Sequence, residues 1–331
     1  SIVGFSTSLY CAMVTLIISL VLFEKDRKLL LVPIIGILLA LTRPDGVIIG
    51  GLITILVFFF INHNIRRLYV LITFMTAIIG VFYFICRWQY FGEILPLPLI
   101  VKSKSDALLP GIFDNILWLE SVWIFVVFSV LSAVLRLVPL VRLLIVVFPI
   151  FVYLILFTFA HQSQNVGARF QAPVLVLILI LSIIAISHIS AQLKFFNEER
   201  FNRKNVLNIF SVILMLLILP NGILNGVATG RLIGSAVKSH YINFFPYYLA
   251  DYVPDQAKIA LTEAGRLAYW MPGKKYDLVG LNTPETAVNG ASVEYLSTLN
   301  PDLIMIHHAG LLGDINCNSG KPFCNLTRLE L

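Results

Sequence analysis

Eight apolar stretches dominate the first 226 residues, at 5–23, 28–41, 46–62, 67–86, 117–135, 140–159, 171–189 and 206–226. A helix needs about 20 mainly apolar residues to cross the hydrocarbon core of a bilayer. The pattern predicts a polytopic α-helical membrane protein with about eight spans over 1–226. The stretch at 28–41 is short, and is expected to be a half-helix that turns at TRPDG (42–46), where Pro44 and Gly46 interrupt the chain. Of all residues, 58% are hydrophobic and 13% charged, whereas a soluble globule carries about 25% charged residues. The charges keep to the gaps between stretches.

The distribution of those charges predicts an orientation. The connections at 24–28, 62–67, 136–142 and 190–205 hold eleven lysines and arginines, and the alternate ones at 42–46, 87–116 and 160–170 hold five. Basic residues concentrate on the cytoplasmic side, so the first set is expected to face in and the second out. The net charge of +6 is read in the same way, as a sign of orientation and not of nucleic-acid binding. With eight spans the tail after 226 also lies outside. The chain opens on Ser1 with no charged segment before its first apolar stretch, so no signal peptide is expected. The reading is of a fragment without its natural start.

The tail, 227–331, differs in character. AKIALT (257–262), KYDLVG (275–280) and DLIMIHH (302–308) are expected strands, and ASVEYLSTL (291–299) an expected helix. Strands alternating with helical patterns predict a small extracytoplasmic α/β domain. Cys317 and Cys324, separated by the six residues from Asn318 to Phe323, could pair in an oxidising compartment. Cys11 and Cys86 lie in apolar stretches, and no zinc-type spacing is present. His307 and His308 have no acids at ligand spacing, so no metal site is expected. His188 ends a span and is read as structural.

The outward connections carry the candidate site. Arg43 and Asp45 stand in LTRPDG; Arg87, Tyr90, Glu93, Lys102, Lys104 and Asp106 follow the fourth span; His161, Gln162, Asn165 and Arg169 precede the seventh. Charge at a membrane boundary is costly unless it faces water or a protein cavity. Guanidinium offers a rigid two-pronged donor for phosphate oxygens, and lysine adds a point charge. Arg43, Arg87, Tyr90, Lys102 and Arg169 are therefore the expected contacts for a phosphate carried on a lipid. The plainer alternative is that each cation snorkels to anionic headgroups.

Several of these segments resemble one family. RWQYFGEILPLPLIVK (87–102) is similar to the arginine-to-lysine loop of GT-C membrane glycosyltransferases related to the mycobacterial terminal arabinofuranosyltransferase, through Arg87, Tyr90, Phe91, Gly92, Pro96 and Lys102. Leu97 and Pro98 replace that family's Asn-Thr. In the same order along the chain, GFSTSLY (4–10) resembles a family stretch with Ser6 in place of an acid. LTRPDG resembles the family at every position. GARFQAP (167–173) matches through Gly167, Arg169, Phe170 and Pro173, with His161-Gln162-Ser163 where the family has Gly-Gly-Asp. EAGRLAYWMPGKKYDLVGL (263–281) resembles a tail motif.

The resemblance implies a GT-C-like bundle that transfers a sugar from a polyprenyl-phosphate donor on the extracytoplasmic face of the plasma (inner) membrane. The acceptor would be a cell-envelope glycan, lipid or protein, and no cofactor is implied. It places the general base, which must deprotonate the acceptor hydroxyl, on an outward loop upstream of Ser1. Asp45 is not expected to replace it. Two other readings stay open: a transporter or flippase for lipid-linked sugars, needing no base, and a non-catalytic membrane scaffold. Transporters often pair broken helices in inverted repeats, and only one break, near 42–46, is visible.

Overall fold

The computed structural model describes residues 7–95, 97, 100–101, 108–159, 169–192, 250–262 and 265–306. The chain divides into two compact units, Ser1–Phe91 with Asp106–Leu219 and Gly92–Ser105 with Pro220–Leu331. The first is helical: α1 (Thr7–Phe23), a 3-10 turn (Asp26–Leu31), α2 (Val32–Thr42), α3 (Gly46–Phe60), α4 (His63–Phe91), α5 (Leu108–Ser121), α6 (Trp123–Val134), α7 (Leu140–Thr158) and α8 (Ala172–Gln192).

Among the described residues three helices are long and apolar enough to cross a membrane: His63–Phe91, Leu140–Thr158 and Ala172–Ile189. The apolar stretches expected at 5–23, 28–41, 46–62, 67–86, 140–159 and 171–189 each contain a helix; 206–226 lies outside the described residues. The stretch expected as one helix over 117–135 is instead two helices, α5 and α6, meeting at 84°. Hydropathy registers composition and not direction, so it cannot see that bend.

α2 and α3 form the hairpin expected at TRPDG. At 11 and 15 residues they reach only about 16 and 22 Å, short of the roughly 30 Å core. Glycines bring their backbones together. A Cβ at Gly50 would stand 2.6 Å from the Gly36 carbonyl oxygen, and one at Gly46 would stand 2.2 Å from that of Leu39. Thr54 Oγ1 donates to Gly50 O at 2.7 Å, and Tyr69 of α4 donates to Thr54 O at 2.8 Å. A buried core of Val14, Ile17, Leu39, Ile53, Val146 and Leu177 fills the space between α1, α2, α3, α7 and α8. α4 stands at the rim. Tyr69 is its one buried residue among those described, and Phe74, Ile78, Ile79 and Phe82 are exposed. In water such an apolar face would be a liability; against lipid tails it costs nothing.

The second unit holds β1 (Lys258–Leu261), α9 (Arg266–Trp270), β2 (Lys274–Asp277), α10 (Pro284–Asn289), α11 (Val293–Leu299) and β3 (Leu303–Met305). Its three strands are parallel in the order β2-β1-β3. Alternation along β1 sends Ile259 and Leu261 to one face, against Met271, and Ala260 to the other, against Leu278 and Leu296. The three expected strands and the helix at 291–299 are present. α9 and α10 are additions, and at 5 and 6 residues they are too short to show a helical period.

The turn after β2 is organised by Asp277, which is buried. Its carboxylate accepts from the backbone N–H groups of Val279, Leu281 and Asn282 at 2.8, 2.7 and 2.9 Å. Gly280 takes φ 86° there, and a Cβ would strike Ala287. Cys317, Cys324, His307 and His308 lie outside the described residues.

These contacts set the response to substitution. Gly50→Val is expected to lower stability by about 3 kcal/mol, the upper range for overpacking. Gly51→Ala should be tolerated, since no described atom lies within 4 Å of that Cβ; thermal unfolding in detergent compares them. Asp277→Ala is expected to speed amide exchange of residues 279–287 at least tenfold, because an unpaired buried donor costs about 1–3 kcal/mol.

Candidate functional site

The described residues place a polar cluster where the α2–α3 turn meets α1, α7 and the start of α8. Arg43 caps α2 in extended conformation, and its N–H donates to Leu39 O at 3.1 Å. The turn closes through Gly46 N–H to Arg43 O at 2.8 Å. Asp45 occupies the N-cap position of α3 without capping it. Its carboxylate is held elsewhere. Arg43 Nε donates to Oδ1 at 3.0 Å, Arg43 Nη2 lies 2.9 Å from Oδ2, and Tyr153 Oη donates to Oδ2 at 3.0 Å.

Aromatic rings line the charges. The Arg43 guanidinium lies 4.9 Å from the Tyr10 ring centroid and 5.8 Å from that of Phe170. Arg169 lies 5.2 Å from the same Phe170 ring. Phe157 joins the two sides, 4.6 Å from Tyr153 and 4.8 Å from Phe170. Two guanidinium groups thus approach one ring, with the Asp45 carboxylate beside Arg43. Arg43 Nη1 and Tyr10 Oη are both buried and find no hydrogen-bond partner among the described residues. Partial burial, and then the Arg43 charge, hold the Arg169 guanidinium below its usual range. Like charges held close in a low-dielectric setting favour an anion between them.

Of the five expected contacts, Arg43 and Arg169 come together. Arg87 lies on the last turns of α4, its guanidinium 5.7 Å from its own helix's Phe91. Chain reversals at 43–45 and 61–62 make α2 and α4 parallel, and Gly80 packs on Ile37, so Arg87 and Arg43 lie toward the same end. Tyr90 is 83% exposed and meets Phe91 edge-on at 4.8 Å. Glu93 follows the end of α4 and is half-buried. Lys102, Lys104, Asp106, His161, Gln162 and Asn165 lie outside the described residues.

Sequence reasoning missed Tyr153, Asn115 and Gln171. Asn115 Nδ2 donates to Thr158 Oγ1 at 3.0 Å, and Gln171 Nε2 donates to Asn115 Oδ1 at 2.8 Å. Gln171 is buried and directly follows Arg169-Phe170, so this chain of bonds anchors the turn that carries them. The available signal was polarity in apolar company: a Tyr inside α7 and an amide at the start of α8.

Arg43 and Asp45 side chains are 11% and 13% exposed, so removing one partner strands a buried charge. Asp45→Asn is expected to cost about 3–5 kcal/mol, and Arg43→Met with Asp45→Leu together less than that. Unfolding of the single and double variants in one detergent compares them; equal losses would mean that the pair carries no buried charge.

Comparison with known proteins reaches the C-terminal segment. A family model described as a domain of unknown function (DUF8728) matches residues 241–327, which include all three strands of the sheet. No curated protein and no solved structure matches the chain.

Proposed function

We propose that the protein is a GT-C-type glycosyltransferase. It moves a sugar from a polyprenyl-phosphate donor to a cell-envelope glycan, lipid or protein on the extracytoplasmic face of the plasma (inner) membrane. On this reading the helical unit is a polytopic bundle and the C-terminal α/β domain is periplasmic or extracellular. The observation that carries it is the approach of Arg43 and Arg169 to one Phe170 ring, with Asp45 on Arg43 and with Arg43 Nη1 buried without a partner among the described residues. Fixed guanidinium donors beside an apolar wall suit the phosphate that departs in such a transfer, because they stabilise charge where it develops. The ordered motif resemblance along the chain points the same way.

Asp45 is a poor general base here. Both of its oxygens are already engaged, by Arg43 twice and by the Tyr153 hydroxyl. The base therefore belongs to another acid, which fits the family's use of a different outward loop. Arg169 is read as the principal phosphate contact and Arg43 as a partly committed one. Arg87, Tyr90 and Lys102 are proposed as further contacts to the same donor.

The protein in nanodiscs is expected to bind polyprenyl monophosphate, and Arg169→Ala to weaken binding ten- to hundredfold. That range corresponds to about 1.5–3 kcal/mol for a charge-assisted contact. Arg169→Lys should recover part of the loss, keeping charge but not the fork. Native mass spectrometry reads binding directly, and unchanged affinity in Arg169→Ala would return this arginine to headgroup snorkelling. In a transfer assay with the full-length protein, Arg87→Ala and Arg169→Ala should lower turnover to a similar degree. Binding without any transfer would favour a flippase.

A further inference from the structure

α5 and α6 are separated by one residue, Val122, and meet at 84°. α5 is fastened by its inner side. A Cβ at Gly111 would stand 2.1 Å from the Thr158 carbonyl oxygen, so α5 lies directly on the last turn of α7. Four residues on, Asn115 bonds to Thr158 Oγ1 and receives the Gln171 amide. Thr158 ends α7, and Gln171 immediately precedes α8. Both helices are long and apolar enough to cross a membrane, so their adjoining ends mark a membrane boundary. α5 is pinned to that boundary.

The rest of its surface is sorted into two kinds. At about 100° per residue, Gly111, Asn115, Trp118 and Leu119 share the side that packs on the bundle. The next sector carries Leu109, Ile112, Phe113, Ile116 and Leu117, all exposed, with Leu109, Phe113 and Leu117 more than 60% so. Glu120 enters this sector only at its C-terminal edge, beside the bend. The remaining sector carries Asp114 and Ser121, also exposed. A helix with one side on protein, one apolar side and one polar side has the surface required at a lipid–water boundary. A spanning segment would have no use for a polar strip.

We propose that α5 is an interfacial helix, lying in the plane of the bilayer with its Leu109–Phe113–Leu117 side in the lipid. It is not the first half of a transmembrane span. The partner of this surface is the boundary between headgroups and acyl chains of the same membrane that α7 and α8 cross. The seat does not depend on the glycosyl-transfer reading. It also couples the lipid surface, through Asn115 and Gln171, to the turn that carries Arg169 and Phe170.

Nitroxide labels at Leu109→Cys, Phe113→Cys, Leu117→Cys and Asp114→Cys test this in the full chain, reconstituted in nanodiscs of phosphatidylethanolamine and phosphatidylglycerol. Accessibility to oxygen and to a water-soluble nickel chelate gives the depth of each label. The first three are expected at one depth in the outer acyl region, with strong oxygen and weak nickel contact, and Asp114→Cys is expected to be nickel-accessible. A spanning helix would instead change depth by about 12 Å between 109 and 117, which would overturn the proposal. Exclusion of both reagents at all three apolar positions would overturn it too, since protein would then cover that side. If Phe113→Cys does not fold, Ile116→Cys reads the same sector.

Discussion

The helical unit is organised around a buried ion pair in a three-residue turn. Arg43 and Asp45 stand two residues apart, and their two-point contact holds the chain in the reversal between α2 and α3. Desolvating both charges costs several kcal/mol unless the remaining donors and acceptors are met. Asp45 meets this through Tyr153 of α7, and Arg43 partly through the Tyr10 and Phe170 rings. The pair therefore joins α1, the α2–α3 hairpin, α7 and the entry to α8. What it leaves unmet among the described residues is Arg43 Nη1, on the guanidinium that shares the Phe170 ring with Arg169.

The hairpin that carries the pair depends on glycine. Below that turn α2 and α3 pack backbone on backbone, and side chains at positions 36, 46 and 50 would keep them apart. Small residues at such crossings let dispersion and backbone contact replace the hydrophobic effect, which is weak between helices in lipid. The same device recurs at Gly111 against Thr158. It fixes α5 to the boundary and, through Asn115, the Arg169 turn. Site and scaffold rest on the same few contacts.

How much of this was legible in the sequence depended on whether local chemistry decided the outcome. The TRPDG turn was legible because Pro44 and Gly46 act within a few residues. β1 (KIAL) and β3 (LIM) were legible as short apolar runs; β2 (KKYD) is not one, and it ends at Asp277, three residues before the end of the strand expected over 275–280. The bend at Val122 was not. No Pro or Gly marks it, and 117–135 is almost uniformly apolar; its direction is set by Thr158 and Gln171, far away in sequence. Tyr153 was hidden for a related reason, since a tyrosine among leucines reads as packing until its hydroxyl is seen on Asp45. Arg43 and Arg169 were visible as charges at expected boundaries, but their approach to one ring was not.

The two ends of the helical unit use positive charge differently. At the end away from Arg43, Arg142 Nη1 donates to Leu22 O at 2.9 Å, closing the C-terminus of α1. Arg66 Nη2 donates to Ile61 O at 3.3 Å beyond α3, and Lys28 pairs with Glu24 at 2.8 Å. Cations near helix C-termini complement the macrodipole and satisfy carbonyls that have no helical partner, so the fold itself accounts for these three residues. Arg43, at the C-cap of α2, pairs with Asp45, and Arg169 lies at the Phe170 ring. Arg43 spends its fork on Asp45 and still has a buried nitrogen to satisfy, and Arg169 is held against a ring that already faces a cation. Burial, and then the Arg43 charge, make the Arg169 guanidinium harder to keep charged. A bound anion would ease that strain, which supports placing the proposed phosphate contact at this end and not at the more basic one.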